Sequence, residues 1–232
     1  MLAGILLVPS VAEAHYLWVK IDRQAGGNGA ANIFFEESAA AGDGHYLDPF
    51  LVSKTTWIRT VEDIAPKQIP LQEARAGKEK RWVVSPLPAA APRSIDSYWL
   101  FGVYQYGQKH VLLHYYARYL DVKSHEDLHE LAGADQMALD MVPHDVGNTL
   151  EIRVVWNGKP VPGRFVHVRG PKGFKHNFKT DDRGKIQFEI AAEGEYSFRT
   201  SVEKQKSGEH DGERYDSIRH NATLIMKLPL AE

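Results

Sequence analysis

The sequence predicts an all-β protein made of two β-sandwich domains, with one short helix near the boundary between them. Beyond residue 146, short segments of alternating polar and apolar residues follow one another at turn spacing, which is typical of a sandwich. Before it, residues 110–120 carry apolar side chains at odd and even positions alike, which indicates a strand buried on two faces. The predicted domains comprise residues 15–146 and 147–232, and residues 1–14 precede them as a signal peptide.

The strands of the N-terminal domain are predicted from runs of β-branched and aromatic residues between turn-forming segments. They lie at residues 16–22, 32–37, 54–60, 81–86, 97–106 and 110–120. A buried helix is the alternative for the last of these. Ser124 then marks the start of the predicted helix, which ends at Leu131, because serine is a preferred N-cap residue and two acidic residues follow it in the first turn.

The C-terminal domain opens with a predicted hairpin. Asn157-Gly158 favours a type I′ turn between strands at residues 149–156 and 161–169. The remaining predicted strands lie at residues 174–180, 185–190, 194–202 and 217–228. The count of about seven short strands at turn spacing supports a sandwich for this half of the chain.

The last predicted strand, residues 217–228, places a histidine on an apolar face. Strand side chains alternate between faces, so His220 shares a face with apolar residues such as Ala222 and Leu224. The odd positions, among them Asn221 and Thr223, are mostly polar and are expected to face water. The pattern therefore predicts a half-buried antiparallel strand with His220 on its core side.

Residues 1–14 form a short apolar run ending in Ala12-Glu13-Ala14, the small-x-small pattern that a signal peptidase cuts. We therefore expect a periplasmic or secreted protein. A buried N-terminal strand is the alternative, and the absence of Lys or Arg from the run indicates an atypical signal or a true start codon further upstream. The run falls short of the roughly 20 apolar residues that span a bilayer, and no transmembrane segment is predicted in the mature chain.

Composition restricts the partners and the metal chemistry. The chain has no cysteine, which excludes disulfides and thiolate metal sites. Its 28 Lys and Arg residues against 30 Asp and Glu residues give a net charge of −2, so no nucleic-acid partner is expected. Eleven histidines make imidazole the available ligand for a transition metal.

The C-terminal half carries three segments that resemble a known fold family. They are WNGKPVPG at residues 156–163, TDDRGK at residues 180–185 and GEY at residues 194–196. These resemble the transthyretin-like, or carboxypeptidase-regulatory-like, β-sandwich, and an immunoglobulin- or transthyretin-like fold is what the resemblance implies.

A second resemblance covers most of the mature chain. Its marks are an export signal ending just before His15, the segment LHYYA at residues 113–117 and the segment GEHDGERYDSIRH at residues 208–220. Together they look like a bacterial family of unknown function whose members are described as the periplasmic component of cobalt or nickel uptake systems. The resemblance implies metal binding and a membrane metal transporter as partner.

The candidate metal ligands are His15, His114, His210 and His220, with Asp211 in support. Nickel, cobalt and copper take imidazole and carboxylate ligands that converge from rigid positions. Cleavage after Ala14 would give His15 a free α-amine, which can chelate such an ion together with the imidazole. The alternative for each histidine is a structural one: a hydrogen-bonded core residue for His114 and His220, a polar turn residue for His210.

No hydrolase, zincin or P-loop motif is found, so the protein is predicted not to be an enzyme. A second hypothesis is a structural or ligand-binding sandwich of the cell envelope that needs no metal. Exposed aromatic residues would favour it, although such a dense region is more often core. The region comprises Tyr98, Trp99, Tyr104, Tyr106, Tyr115, Tyr116 and Tyr119. Copper-dependent oxidation at an N-terminal histidine is a third reading, with no further motif to support it.

Overall fold

Strands make up most of the computed structural model, which describes residues 15–24, 27–51 and 53–231. Within these ranges there are eighteen strands, one short α-helix and two single-turn 3-10 helices, Asp48–Leu51 and Pro171–Gly173. The all-β prediction is therefore confirmed, including the short helix near the middle of the chain. The predicted signal peptide, residues 1–14, lies outside the described residues.

In chain order the strands are β1 (Tyr16–Asp22), β2 (Ala30–Glu36), β3 (Lys54–Thr60), β4 (Lys67–Gln68), β5 (Gln72–Ala76), β6 (Lys80–Pro86), β7 (Arg93–Tyr106), β8 (Lys109–Asp121) and β9 (Leu139–Val146). They continue with β10 (Thr149–Trp156), β11 (Lys159–Pro160), β12 (Phe165–Arg169), β13 (Lys175–Lys179), β14 (Lys185–Glu189), β15 (Gly194–Lys204), β16 (Gly208–His210), β17 (Glu213–Tyr215) and β18 (Ser217–Leu228). Helix α1 (His125–Leu131) follows β8 and is closed by a capping box between Ser124 and Asp127, as its sequence predicts.

The strands form a three-layered sandwich around one large sheet. The middle layer has eight strands in the order β13-β12-β15-β18-β8-β7-β3-β4. A sheet of β1, β2, β6 and β5 covers one face of it, and a sheet of β9, β10, β14 and β11 covers the other. Strand β8 is buried on both faces, because Tyr115 and Ala117 belong to one core and Tyr116 and Leu120 to the other. This confirms the two-faced burial predicted for residues 110–120.

The middle sheet joins the two halves of the chain through β18 and β8. These strands pair in parallel, from Ser217 opposite Val111 to Met226 opposite Leu120. On its other side β18 pairs antiparallel with β15. The prediction of a half-buried antiparallel strand is therefore wrong for β18, which lies inside the sheet and is buried on both faces.

Strand β1 is the reason that the polar face of β18 is buried. It packs across β18, and the Thr223 hydroxyl donates a hydrogen bond of 2.6 Å to the carbonyl oxygen of Leu17. Thr223 and Asn221 are only 3% and 7% exposed. A small polar side chain can lie on a buried face when it makes a hydrogen bond or borders a cavity, although its place in the alternation pattern predicts that it faces water.

The division predicted between residues 146 and 147 falls in the turn of the β9–β10 hairpin, where Val146 pairs with Thr149. Strands from both predicted domains form one continuous sheet. Strand β9, with the sequence LDMVPHDV, occupies a segment for which no strand is predicted from the sequence. Its proline, Pro143, is tolerated because β9 pairs with β10 alone in the part of the chain that the structure describes, and an edge strand can lack a donor.

A buried ion network lies where β7 and β8 pass α1. The Asp96 carboxylate accepts hydrogen bonds of 2.8 Å from Arg59 Nε and 2.9 Å from Arg118 Nε. Arg118 also donates to the Asp140 carboxylate at 3.0 Å. All four side chains are at most 6% exposed. Neighbouring arginines hold the pKa of Asp96 below its usual value although burial alone would raise it.

Candidate functional site

The candidate site is centred on a stacked pair of imidazoles in the middle sheet. His114 in β8 and His220 in β18 occupy the same register position, and residues in register on parallel strands point to the same face. Their ring centroids are 4.6 Å apart and their planes differ by 19°. The structure thus brings two of the predicted site residues into direct contact.

Tyrosine hydroxyls hold one nitrogen of each ring. Tyr98 Oη lies 2.9 Å from His114 Nδ1, and Tyr116 Oη lies 3.2 Å from His220 Nδ1. The indole of Trp156 packs on His220 with centroids 4.2 Å apart. When Nδ1–H donates to the phenol oxygen, the lone pair of Nε2 is left for another partner, which is how metal-binding histidines are commonly oriented.

Both imidazoles are neutral at pH 7. Burial lowers the pKa of His114 to about 4, and the nearby charge of His210 lowers it in the same direction. Burial lowers the pKa of His220 to about 3, with contributions from His114 and Lys204. Burial also raises the pKa of Tyr98, so its phenol stays protonated and can either donate to the imidazole or accept from it.

His210 reaches this region from a separate hairpin. Strands β16 and β17 pair through His210 and Glu213, and β17 packs against β7 and β8. The turn between them has positive φ at Asp211 and Gly212, as in a type I′ turn. His210 Nε2 lies 3.3 Å from the Asp211 carboxylate, whose side chain is 90% exposed. His210 is thus close enough to influence His114, while Asp211 faces solvent beside it.

His15 lies on the opposite face of the middle sheet. Its imidazole contacts the ring of Tyr46 at a centroid distance of 4.9 Å, and its Nε2 is 3.8 Å from a carboxylate oxygen of Glu36. It lines a cleft with Tyr115 and Asn221, which point away from the histidine pair. The structure therefore does not bring His15 to His114 and His220.

No group of three or more His, Asp or Glu side chains in the described residues is arranged to hold a metal ion. The pair and its surroundings were only partly visible in the sequence. Tyr98, Tyr116 and Trp156 were not predicted as site residues, and the aromatic density around positions 98–119 was the one signal for them. Most of that region is core, as expected: Trp99, Tyr115, Tyr116 and Tyr119 are at most 4% exposed.

The comparisons with known proteins leave the family open. No model of a known protein family matches the chain, and no curated protein matches it either. Among solved structures, one described as "Biofilm associated protein - BSP domain" is similar over 84% of this chain, with 10% identity and a TM-score of 0.19. The matched region spans 26% of that other chain.

The α-helix of the described residues is seven residues long, and no helix there is long and apolar enough to cross a membrane.

Proposed function

We propose that this chain is an exported protein that binds nickel, cobalt or copper through the imidazoles of His114 and His220. The observation that carries the proposal is the stacked pair itself, in which Nδ1 of each ring is hydrogen-bonded to a tyrosine hydroxyl. This arrangement fixes both rings and leaves the two Nε2 atoms as ligands. Neutral imidazole is the form that binds a metal, and the low pKa values of both rings supply it.

His210 is the proposed third ligand. Two imidazoles alone leave most of the coordination sphere of these ions unfilled, and His210 is a further histidine close enough to lower the pKa of His114. It sits on the short β16–β17 hairpin, whose movement relative to the sheet would bring its ring to the ion. The Asp211 carboxylate beside it would hold the imidazole in orientation or supply an oxygen ligand.

His15 belongs to a separate chelate in this proposal. Cleavage after Ala14 by signal peptidase would free its α-amine, which can bind copper or nickel together with its own imidazole. The Glu36 carboxylate, 3.8 Å from the His15 ring, would add an oxygen ligand. Export to the periplasm and delivery of the ion to a membrane transporter complete the proposed role. The protein acts in it as a binding protein and not as an enzyme.

Titration calorimetry of the cleaved chain, starting at His15, with Ni²⁺, Co²⁺ and Cu²⁺ tests the proposal. We expect about one ion to bind at the histidine pair, and His220→Asn or His114→Asn to abolish that binding. His176→Ala removes an exposed histidine remote from the pair and serves as the matched control. A second preparation with one extra residue before His15 moves the free amine off His15, and any binding in it that His220→Asn abolishes belongs to the pair.

The alternative is a structural pair that fills the core without metal. The absence of heat with all three ions in both preparations would support that alternative and overturn the metal proposal. Equal binding by wild type and His220→Asn, with both shown to be folded by circular dichroism, would place the ion elsewhere and also overturn it.

A further inference from the structure

A cleft of about 560 Å³ opens on the face of the middle sheet opposite to the histidine pair. This volume is within the range of about 300–1,000 Å³ that small-molecule sites occupy. Its wall is largely aromatic and is formed by Tyr16, Phe35, Tyr46, Phe101, Tyr104 and Tyr106. Its floor includes two neighbouring polar side chains, those of Asn221 and Tyr115.

The two floor residues are largely buried, and their polar ends line the cleft. Asn221 is 7% exposed and Tyr115 is 4% exposed. They face each other across the β18–β8 pairing, one register position beyond the histidines. Within the described residues, neither the Asn221 amide nor the Tyr115 hydroxyl makes a side-chain hydrogen bond to the protein. Neither group is among the buried unpaired side-chain atoms of the described residues, so both polar ends are accessible from the cleft and can bond to a ligand there.

The polar groups on the floor of the cleft are neutral. Burial raises the pKa of Tyr115 far above neutrality, so its hydroxyl remains a donor as well as an acceptor. The amide of Asn221 likewise offers two donors and one acceptor oxygen. A matching ligand carries groups that both donate and accept, and hydroxyl groups do so.

The cleft wall offers ring faces at several angles together with further hydroxyls. The rings of Phe101 and Tyr104 meet at 69°, and those of Tyr104 and Tyr106 meet at 61°. The hydroxyls of Tyr16, Tyr46 and Tyr104 also lack a protein partner among the described residues. A ligand held here therefore meets apolar ring faces and hydroxyls on several sides at once.

The cleft has no unpaired charged side chain among the described residues that line it. Arg219 is the one permanently charged side chain among the described residues that line it. Both its Nε, at 3.0 Å, and its Nη2, at 2.8 Å, donate to the Glu203 carboxylate, and its guanidinium lies over the ring of Tyr106. Burial alone would raise the pKa of Glu203, but hydrogen bonds from Lys109, Arg219 and Ser217 lower it to about 2, so the carboxylate stays ionised and paired with Arg219.

We propose that this cleft binds a neutral carbohydrate. The Asn221 amide and the Tyr115 hydroxyl would bond to hydroxyls of one sugar ring, while Tyr104 and Tyr106 would pack on its apolar C–H face. Sugars combine these two surfaces, whereas a purely apolar ligand would leave the floor groups unpaired and an anion would have to compete with Glu203 for Arg219. This site is separate from the pair of His114 and His220, because the middle sheet lies between them, whereas His15 lines the cleft itself.

Saturation-transfer NMR and calorimetry with maltotetraose, cellotetraose and N,N′-diacetylchitobiose test the proposal. We expect at least one of these neutral sugars to bind, and Asn221→Ala and Tyr115→Phe each to weaken it about tenfold, the usual effect of losing one hydrogen bond. Tyr119→Phe is the matched control, because it removes a hydroxyl from the same face of β8 outside the cleft. Melting curves establish that all three variants are folded.

Three results would overturn the proposal. The first is the absence of binding by every neutral sugar at millimolar concentration. The second is binding of indole or of trigalacturonate in the cleft without any neutral sugar, since these probes report an apolar or an anionic site. The third is equal weakening by Tyr119→Phe and Tyr115→Phe, because a general loosening of the sheet would then explain the loss.

Discussion

The imidazoles of His114 and His220 stack because their residues share one register position of the parallel strands β8 and β18. At the next position Tyr115 and Asn221 are paired and point to the other face. One strand pairing therefore positions both candidate sites. A slip of one residue between the strands would separate both pairs at once. Both sites therefore depend on the correct register between β8 and β18.

Removing either tyrosine hydroxyl should weaken metal binding. Tyr98→Phe and Tyr116→Phe keep the aromatic ring but leave His114 Nδ1 or His220 Nδ1 without its partner. We expect about a tenfold or greater loss of metal affinity for each, since such orienting partners contribute roughly 10- to 100-fold. Calorimetry with the preferred ion measures it, and Tyr119→Phe is the control. Unchanged affinity in both variants would show that these hydroxyls do not orient ligands.

Stability should fall as the pH drops below about 6.5. The unfolded chain binds protons at His114 and His220 near pH 6.5, whereas the folded protein keeps both neutral until about pH 4 and 3. The unfolded state therefore binds more protons in this window, and stability is lost as pH falls. For His220 alone we expect about 2 kcal/mol between pH 7 and pH 5.

Denaturant unfolding of the metal-free protein at pH 7 and pH 5 measures this loss, because carboxylates titrate mostly below that window. His220→Gln should show a smaller drop than wild type. His210 and Lys204, which also lower the pKa values of the pair, remain in both proteins. An identical pH dependence in the variant would mean that His220 is not the group responsible.

The ion network around Asp96 should be essential for folding stability. Asp96→Asn removes the charge that balances Arg59 and Arg118, and breaking a buried pair in this way costs about 3–5 kcal/mol. The exposed pair of Asp63 and Lys67 gives the control, because Asp63→Asn should leave the melting temperature almost unchanged. Similar melting temperatures for the two variants would contradict a stabilising role of the network.

Substitution of two glycines with positive φ would distinguish the cost of backbone strain from the cost of steric overlap. Gly184 has φ +73°, and an added Cβ would lie 2.8 Å from the backbone nitrogen of Val161 and 2.9 Å from the oxygen of Val154. Gly147 has φ +58° and open space around it. We expect Gly147→Ala to cost about 1–2 kcal/mol and Gly184→Ala about 3 kcal/mol or more. Chemical denaturation compares them, and equal losses would show that the turn at Gly184 relaxes.

Local patterns predicted the individual strands well. Residues 217–228 were recognised as a strand with His220 on an apolar face, and residues 110–120 as a strand buried on both sides; both predictions are confirmed. Alternation and turn residues report on neighbours in sequence, so these features were accessible. The capped start of α1 at Ser124 was predictable for the same reason.

Long-range pairing could not be read from the same patterns. Nothing local specifies that β18 lies parallel to β8, and without that partner Asn221 and Thr223 look like water-facing residues. Buried charges were equally hidden, because Asp96 and Arg118 belong to residue types that are mostly exposed. The placement of His15 also depends on how β1 crosses the sheet, so the sequence grouped His15 with His114 and His220, from which the structure separates it.

The central position of β18 has a consequence for synthesis. A ribosome releases this strand after both of its neighbours, β15 and β8, yet the middle sheet needs it to join them. Until then, the growing chain holds two partial sheets whose inner edges, β15 and β8, present unpaired backbone groups that attract other strands. Nascent chains that stop short of Ser217 are therefore expected to be aggregation-prone. The middle sheet can form only after β18 has been synthesised.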